Sequence, residues 1–393
     1  MDWALPEHLK AIKQTAGEFA QKEIAPYAKE DERSHSFRTE IVKKMGQMSF
    51  FGCPIPEQYG GTNLGYYAHT LICEEIAKAS CSLAMPFNTQ TMATSMAILQ
   101  FGSEQQKKTY IPGLLNAELI GSFAVTEPDA ASDIMAISTS AQKKDDLYLL
   151  NGSKTWISLG TIADIGIIFA RTCPGQECDS LSAFILDMKT EGIERSPELE
   201  KMGWRSLPTA ELFFDNVVIP AENLLGREGQ GFEIMMYCFN NMRLTAAARA
   251  VGNCQALLDF TVEYAQSRKQ FGRKIGRFQM VQDVIARMIA RVEASRLLTY
   301  RYAQNRDRGI NNPAEISLAK FYAAETASLI SDEAFAITGA YGCSGQYPIG
   351  RFLRDAKMHQ IVDGTANIHK QIIALEALGD DPYSLFKPSH YME

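Results

Sequence analysis

The stretch that most limits the fold of this 393-residue chain is a long run without helix breakers. Between Phe232 and Gln266 there is no proline and only one glycine, which permits a single helix of roughly 35 residues. At 1.5 Å per residue such a helix is about 50 Å long, which exceeds the diameter of a small domain. We therefore expect an extended helical unit in this part of the chain.

Three later segments carry helical patterns and complete that unit. Apolar residues recur at helical spacing from Val284 to Leu298, Pro313 suits the first position of a helix, and Gly379 suits the position after a helix end. These signals predict helices that include residues 284–298, 313–337 and 365–378. We expect residues 226–393 to form a C-terminal four-helix bundle domain.

The first part of the chain is also mostly helical by its pattern. Apolar residues from Leu9 to Phe19 recur at helical spacing, and similar patterns cover residues 66–79 and 88–101. Residues 51–61 are dense in proline and glycine, which predicts a loop. We expect an N-terminal helical domain over residues 1–120.

Between these helical parts the sequence becomes β-prone. Residues 121–126 are short and apolar, and residues 146–157 contain the pair Asn151-Gly152, which predicts two strands joined by a tight turn. Further strand candidates follow at residues 165–170, 183–186 and 211–214. The prediction is an α+β chain in which a small β-barrel or sandwich, residues 121–225, lies between two helical domains.

Composition narrows the class of protein further. A net charge of -7 argues against general nucleic-acid binding, and eight cysteines without a CxxC pair fit reduced thiols better than a disulfide framework. The sequence contains no run of about 18 apolar residues, so no membrane span is predicted. The first residues do not resemble a signal peptide. We expect a cytoplasmic protein.

Several common catalytic signatures are missing from the sequence. There is no GxGxxG after a strand, no GxxxxGK[ST] phosphate loop, no HExxH and no GxSxG. The six histidines never pair with Cys or a carboxylate at metal-ligand spacing. We therefore expect no metal site and no nicotinamide fingerprint.

Asp363 occupies a position where two interpretations compete. A helical segment ends near Val362, and Asp363-Gly364-Thr365 leads into the next helix. A carboxylate on a tight turn beside apolar residues can act as a proton acceptor. Asp-Gly is equally a common turn pair, so these residues alone leave both interpretations open.

Four segments, in order along the chain, resemble the acyl-CoA dehydrogenase family. They are Val125–Asp133 (VTEPDAASD), Trp156-Ile157-Ser158, Arg268–Gly272 (RKQFG) with Phe278-Gln279, and Arg354-Asp355-Ala356 continuing to Asp363-Gly364-Thr365. The resemblance covers essentially the whole chain. It implies FAD as cofactor, an acyl-CoA substrate, a homotetramer, and an electron-transfer flavoprotein as electron acceptor.

The resemblance also implies roles for individual residues in holding FAD. Thr126 and Ser158 would bond to the flavin ring, Trp156 would lie against it, and Arg268 would reach the pyrophosphate of a neighbouring subunit. The matching positions are Thr126, Trp156, Ser158, Arg268, Phe271, Gln279, Gly364, Thr365 and Asn367. Without the motifs, Trp156 would be a core residue and Arg268 part of a solvated basic turn.

For the substrate, the resemblance implies contacts with Ser132, Arg243, Gly364 and Thr91. Arg243 matches an arginine close to CoA in relatives, whereas a lone Arg on a helix is otherwise a surface residue. Ser132 would touch the thioester, although a loop serine is the ordinary interpretation. Thr91 belongs to Asn88–Thr91, which resembles the wall of the acyl pocket.

In the family a carboxylate removes the α-proton while the β-hydrogen leaves as hydride to the flavin. Here the matching position is Asp363, where most relatives carry Glu, and residues 88–91 and 239–244 offer no other carboxylate. The other departures are Asp129 and Ala131 in place of glycines and Ala336 in place of a glutamine.

Asp is shorter than Glu by one methylene, so its oxygens retract by roughly 1.5 Å, and a misplacement near 1 Å can cost about a hundredfold in rate. We therefore expect a cyclic or α-branched acyl group, such as cyclohexane-carboxyl-CoA, whose α-carbon lies nearer the base. A glutaryl group is disfavoured because relatives bind its distal carboxylate with an arginine near the position of Ser82.

Two other interpretations keep this fold. The first is a dehydrogenase or oxidase of acyl groups bound to a carrier protein in a biosynthetic pathway. The second is a non-catalytic member of the family, an idea supported only by the presence of Asp at position 363.

Overall fold

The N-terminal part of the chain is helical, as predicted. The structure is a computed structural model and describes residues 5–173 and 178–386, with the side chain of Cys178 left out. The helices are α1 (Glu7–Phe19), α2 (Ala28–Ser34), α3 (Thr39–Gln47), α4 (Gly65–Ala79), α5 (Met96–Phe101) and α6 (Glu104–Leu115), with π-helical segments at Ala20–Ile24 and Phe87–Ser95.

One of these segments differs from the sequence prediction. Residues 88–101 were expected to be one α-helix, but a π-helix over Phe87–Ser95 precedes α5. Every residue of this π-helix is buried, and its Thr91 hydroxyl donates to the carbonyl oxygen of Phe51 at 3.1 Å. The wider turn could not be predicted from the pattern, because a segment buried on all sides shows no periodicity that would distinguish the two helix types. π-Helical turns occur frequently at functional sites.

The central part of the chain is a single hydrogen-bonded β-sheet of eight strands. Its order is β6-β7-β3-β2-β4-β5-β8, with β1 paired in parallel to β4. Side chains from β2, β3, β4, β5 and β7 share one apolar cluster, so the sheet folds around its own core. The strands are β1 (Gly121–Ala124), β2 (Ser140–Lys144), β3 (Leu147–Ser158), β4 (Ile165–Arg171), β5 (Leu181–Asp187), β6 (Ile193–Arg195), β7 (Thr209–Pro220) and β8 (Leu224–Leu225).

The predicted hairpin at Asn151-Gly152 is wrong. β3 runs straight through this pair, and the chain reverses earlier, between β2 and β3, where Asp145 has a φ of +51°. Gly152 lies at a shift in the register between β3 and β7, with a φ of +140°. A Cβ at that position would lie 2.6 Å from the Thr139 hydroxyl, so the glycine serves a β-bulge and not a turn.

The C-terminal part contains the predicted long helix and the helices that pack on it. The helices are α7 (Gly231–Ser267), α8 (Gln279–Asp307), α9 (Pro313–Thr338), α10 (Ile349–His359) and α11 (Ala366–Leu378), and the short strands β9 (Lys269–Gln270) and β10 (Arg273–Lys274) connect α7 to α8. α7 has 37 residues and packs against α4, α8, α9, α10 and the π-helix. The α+β architecture expected from the sequence is therefore confirmed.

The middle of α7 lies at the centre of the molecule. From Asn240 to Cys254 each of its residues is buried, including two arginines, Arg243 and Arg249. α9 begins as predicted at Pro313, and the Asn312 side chain accepts a hydrogen bond from the Glu315 backbone N–H at 2.7 Å. In the described parts of the chain, no helix is both long and apolar enough to cross a membrane.

Candidate active site

Asp363 lies on the turn between α10 and α11, close to the middle of α7. Its φ is +56° and that of Gly364 is +99°. A Cβ on Gly364 would lie 3.1 Å from Nε2 of His369, so this position requires glycine both for its backbone angle and for space. Thr365 caps α11, because its hydroxyl accepts from the Ile368 N–H. The turn therefore fixes the direction of the Asp363 side chain.

The Asp363 carboxylate does not bond within its own turn. Its Oδ2 accepts from Arg249 Nη2 at 2.9 Å and from Asn88 Nδ2 at 3.2 Å. The Asp363 side chain is 7% exposed and that of Arg249 is fully buried. The turn thus directs a carboxylate into the junction of α7 and the π-helix, where one oxygen is held by two donors.

A buried lysine supports the same turn from α9. Lys320 Nζ donates to the carbonyl oxygen of Gly364 at 2.6 Å. Burial lowers the pKa of Lys320 to about 7, although the nearby Asp363 carboxylate opposes this change. Lys320 and Arg249 were not predicted from the sequence as site residues. Each is a charged residue in an Ala-rich helical stretch, and this was the only signal that could have marked them.

Arg243, a predicted substrate contact, is buried and not a surface residue. Its exposed fraction is 2%, its Nη1 donates to Asn240 Oδ1 at 3.1 Å, and its Nε has no partner among the described residues. Burial lowers its pKa, while Tyr383 and Asp363 act in the opposite direction. Arg243 therefore retains donor capacity for a ligand anion.

The other predicted substrate contacts differ in position. Thr91 belongs to the buried π-helix that also provides Asn88, but its hydroxyl donates to the Phe51 carbonyl oxygen and not to Asp363. Ser132 is exposed on the loop after β1, where Glu127 and Ala130 form an isolated β-bridge. The structure therefore brings Arg243 and the π-helix to the carboxylate and leaves Ser132 on a separate, open loop.

The predicted flavin contacts of the β-sheet lie next to one another. The backbone N–H of Thr155 donates to the Thr126 carbonyl at 2.9 Å, which joins the loop after β1 to the end of β3. Trp156 has a φ of +59° and is 58% exposed, so it is not the core tryptophan that the alternative interpretation required. Ser158 is half-buried two residues later. An exposed indole flanked by hydroxyl groups fits a flat aromatic ring with polar edges.

Three of the remaining predicted flavin contacts, Arg268, Phe271 and Gln279, lie beyond the C-terminal end of α7. Arg268 directly follows α7, about 28 Å along the helix axis from Arg249, and its guanidinium lies 5.0 Å from the centre of the Tyr341 ring. Phe271 is 92% exposed with a φ of +52°, and Gln279 begins α8. These residues form an exposed apolar and basic end of the helical domain.

Gly364, Thr365 and Asn367 lie at the start of α11. The first peptide N–H groups of a helix favour an anionic or polar ligand, and Asn367 is exposed there. Within one chain the predicted cofactor contacts therefore lie in three places: beside the sheet, beyond the C-terminal end of α7, and at the start of α11. No group of His, Cys, Asp and Glu in the described segments could hold a metal ion.

The exposed Trp156 indole on the sheet and the buried Asp363 carboxylate at a helix junction fit a flavin-dependent oxidoreductase, and the family match shows this class. The chain belongs to the acyl-CoA dehydrogenase family, because the models of its N-terminal, middle and C-terminal domains match residues 6–118, 122–217 and 229–378. Members of the family bind FAD, and the residues around Trp156 fit that cofactor. The family resemblance, the fold and the cofactor expected from the sequence are confirmed.

Two curated relatives cover almost the whole chain. A glutaryl-CoA dehydrogenase of Desulfococcus multivorans is 44% identical over 383 residues, which are 96% of this chain and 98% of that protein. A mitochondrial 2-methylacyl-CoA dehydrogenase of Solanum tuberosum is 37% identical over 374 residues, 95% of this chain and 91% of the relative. This chain is an acyl-CoA dehydrogenase-type oxidoreductase that acts on an acyl-CoA substrate.

Two solved structures are similar over the same length. A glutaryl-coenzyme A dehydrogenase in complex with glutaryl-CoA matches with a TM-score of 0.94 and 44% identity, covering 96% of this chain and 97% of the other. The prolyl acyl carrier protein oxidase AnaB matches with a TM-score of 0.92 and 34% identity, covering 96% and 100%. The fold is thus shared by enzymes whose names specify different acyl groups and carriers.

Proposed function

We propose that Asp363 is the base that removes the α-proton of the acyl-CoA substrate. The observation that carries this proposal is the buried Asp363 carboxylate at the junction of α7 and the π-helix, bonded to Arg249 and Asn88. Its charge acts on two further buried cations, Arg243 and Lys320. In the described residues no hydrogen bond engages Oδ1, which leaves one oxygen to accept a proton.

The chain's own groups divide the remaining tasks. Gly364 provides the turn that directs the carboxylate, and the buried π-helix keeps water away from one side of it. Thr126, Trp156 and Ser158 would hold the FAD ring, with Arg268, Phe271, Gln279, Gly364, Thr365 and Asn367 around the rest of the cofactor. When bound, FAD supplies the acceptor for the β-hydrogen, so that loss of the α-proton yields the 2-enoyl thioester.

The acyl group that we propose is cyclic or α-branched, with cyclohexane-carboxyl-CoA as the specific example. A short Asp base on a rigid turn requires an α-carbon held close to it, and a ring or branch at that carbon fills the width of the pocket. The π-helical wall is buried and rich in polar side chains, which suits a compact group better than a long straight chain. The name of the Solanum tuberosum relative also specifies a branch at carbon 2.

A dicarboxylic acyl group is the second candidate, favoured by the 44% identity to a glutaryl-CoA dehydrogenase. Relatives that bind a glutaryl group are expected to carry an arginine near the position of Ser82. Ser82 is buried, with 4% of its surface exposed, and it provides no cation for a distal carboxylate. A carrier-bound acyl group is the further alternative, for which the likeness to AnaB is the support.

An anaerobic titration of the FAD-loaded enzyme distinguishes these substrates. Cyclohexane-carboxyl-CoA, 2-methylbutyryl-CoA, butyryl-CoA, octanoyl-CoA and glutaryl-CoA are added separately, and bleaching of the flavin is followed. We expect the cyclic or branched ester to bleach it fastest, and Asp363→Ala to abolish the reaction with FAD still bound. Fastest reduction by butyryl- or octanoyl-CoA would contradict the proposed acyl group, and full activity of Asp363→Ala would contradict the proposed base.

The assembly and electron acceptor are further parts of this proposal. The exposed Phe271 and Met280, 92% and 84% exposed in the single chain, support burial against another subunit of a homotetramer. An electron-transfer flavoprotein is proposed as the electron acceptor. A cytoplasmic location is also proposed, and the seven free cysteines among the described residues support it. Sedimentation velocity tests the tetramer, and reduction of added electron-transfer flavoprotein tests the acceptor.

A further inference from the structure

We propose that Arg249 is the positioning residue for Asp363 and that it keeps this carboxylate ionised when the acyl group excludes water. The inference rests on the proposed role of Asp363 as the base. Arg249 lies about 1.7 helical turns beyond Arg243 on α7. Its guanidinium is fully buried and reaches Asp363 Oδ2 at 2.9 Å.

The other surroundings of the guanidinium hold it in place. Its centre lies 5.0 Å from the centre of the Trp204 ring, and the backbone N–H of Trp204 donates to Asp355 Oδ1 at 2.7 Å. Stacking of a guanidinium on an indole is favourable when both are desolvated. Nε and Nη1 of Arg249 have no partner among the described residues, so Asp363 provides the one carboxylate that this cation contacts there.

The backbone of Asp363 and its two hydrogen-bond donors together fix the position of this short carboxylate. Asp363 has a left-handed backbone angle, and its Oδ2 is tied to Arg249 and Asn88. With the backbone and one oxygen fixed, the position of Oδ1 is fixed as well. Glu has one more rotatable bond, so the same two donors would restrain a Glu carboxylate less closely.

The charges around Asp363 give Arg249 its second role. Near the carboxylate are Arg249 and Arg243 from α7 and Lys320 from α9, with Asn88 as a neutral donor, and His369 from α11 lies against the backbone of the same turn. Burial lowers the pKa of His369 well below its usual value, so it is neutral near pH 7. Of the cations, Arg249 is the one in direct contact, and a nearby opposite charge favours the ionised carboxylate.

The test compares three variants of the FAD-loaded enzyme. Arg249→Met removes the cation but keeps much of the volume, and Arg249→Lys keeps the charge without the planar fork. Arg296→Met is the matched control, because Arg296 is a partly buried arginine on α8 that bonds to Glu74 at 3.0 Å, away from Asp363. The rate of anaerobic flavin reduction by cyclohexane-carboxyl-CoA is measured across pH, with FAD content and thermal unfolding of each variant.

We expect Arg249→Met to reduce flavin roughly a hundredfold more slowly, as a base displaced by about 1 Å would. The acid side of its pH–rate profile should move to higher pH, because the buried carboxylate without its cation favours the neutral form. Arg249→Lys should restore the pH profile and part of the rate. Arg296→Met should leave the profile unchanged even if it lowers thermal stability.

Three outcomes would overturn the inference. One is an Arg249→Met enzyme with an unchanged rate and pH profile while Asp363→Ala is inactive, which leaves the proposed base intact. Another is an Arg249→Met profile equal to that of Arg296→Met, which assigns Arg249 a structural role only. The third is loss of glutaryl-CoA turnover alone, which would assign the guanidinium to a substrate carboxylate. Full activity of Asp363→Ala would instead show that the proposed base itself is wrong.

Discussion

Lys154 and Glu127 form a fully buried salt bridge between β3 and the loop after β1. Lys154 Nζ lies 2.8 Å from Glu127 Oε1, and the two side chains are 0% and 3% exposed. Although burial alone would raise the pKa of Glu127, the Lys154 ammonium lowers it to about 2. Glu127 follows Thr126 directly, and Trp156 lies two residues after Lys154. The ion pair therefore ties together the two segments that carry the proposed flavin contacts.

Removal of the Glu127 charge should damage both the fold and the cofactor site. In Glu127→Gln the ammonium of Lys154 stays buried without its partner, which typically costs about 3–5 kcal/mol. We expect a drop of this size in the free energy of unfolding, measured with urea on FAD-free protein, and a purified protein that has lost much of its FAD.

The control for this prediction is a pair with the same charges on the surface. Lys143 lies 3.6 Å from Glu228, and their side chains are 55% and 33% exposed. Lys143→Ala should change the free energy of unfolding by less than about 1 kcal/mol, because exposed ion pairs contribute little. Equal effects of Glu127→Gln and Lys143→Ala would contradict the assigned role of the buried pair.

The large divisions of the fold could be predicted from local signals in the sequence. α7 was expected because a long run without proline has few alternatives, and its observed bounds, Gly231–Ser267, are close to those predicted. The prediction of a turn at Asn151-Gly152 was wrong because a glycine required by a β-bulge has the same sequence signature as a glycine in a hairpin. That distinction depends on Thr139, a residue on the neighbouring part of the sheet.

Only part of the candidate site could be predicted from the sequence. Asp363 could be selected because it lies in a recognisable motif at a helix boundary. Its partner Arg249 is 114 residues away in an Ala-rich stretch, and no local pattern distinguishes a buried arginine from an exposed one. The contact exists because α7 passes beside the turn, so it depends on tertiary packing. The π-helix that provides Asn88 was missed because every residue of Phe87–Ser95 is buried, so no alternation of buried and exposed residues marks the type of helix.

Lys320 should make stability depend on pH above neutrality. Burial lowers its pKa from 10.5 to about 7, so between these values the unfolded chain binds more protons than the folded chain. The free energy of unfolding should therefore rise with pH across this window. In Lys320→Met this rise should be weaker. Urea unfolding at a series of pH values measures it, and Lys370→Met is the control because Lys370 is 50% exposed. An identical slope in wild type and Lys320→Met would contradict the prediction.

Gly364→Ala should distort the turn that carries Asp363. The new Cβ would lie 3.1 Å from His369 Nε2, on a residue whose φ is +99°. We expect a loss of about 1–3 kcal/mol in the free energy of unfolding and a lower rate of flavin reduction. Gly345→Ala is the control, because nothing lies within 4 Å of a Cβ there. If Gly364→Ala were as stable and active as Gly345→Ala, the turn would not require glycine.

Asp363→Glu tests whether the length of the base selects the acyl group. The added methylene moves the carboxylate roughly 1.5 Å further into the pocket, where a displacement near 1 Å can change a rate about a hundredfold. We expect flavin reduction by cyclohexane-carboxyl-CoA to slow by about that factor, while reduction by butyryl-CoA slows less or accelerates. The ratio of the two rates is the measurement, because it cancels any general loss of active enzyme. Asp363→Asn, measured in parallel, should be inactive with both esters, since it keeps the length and removes the base. An unchanged ratio in Asp363→Glu would show that the substrate preference is set by the pocket wall and not by the base.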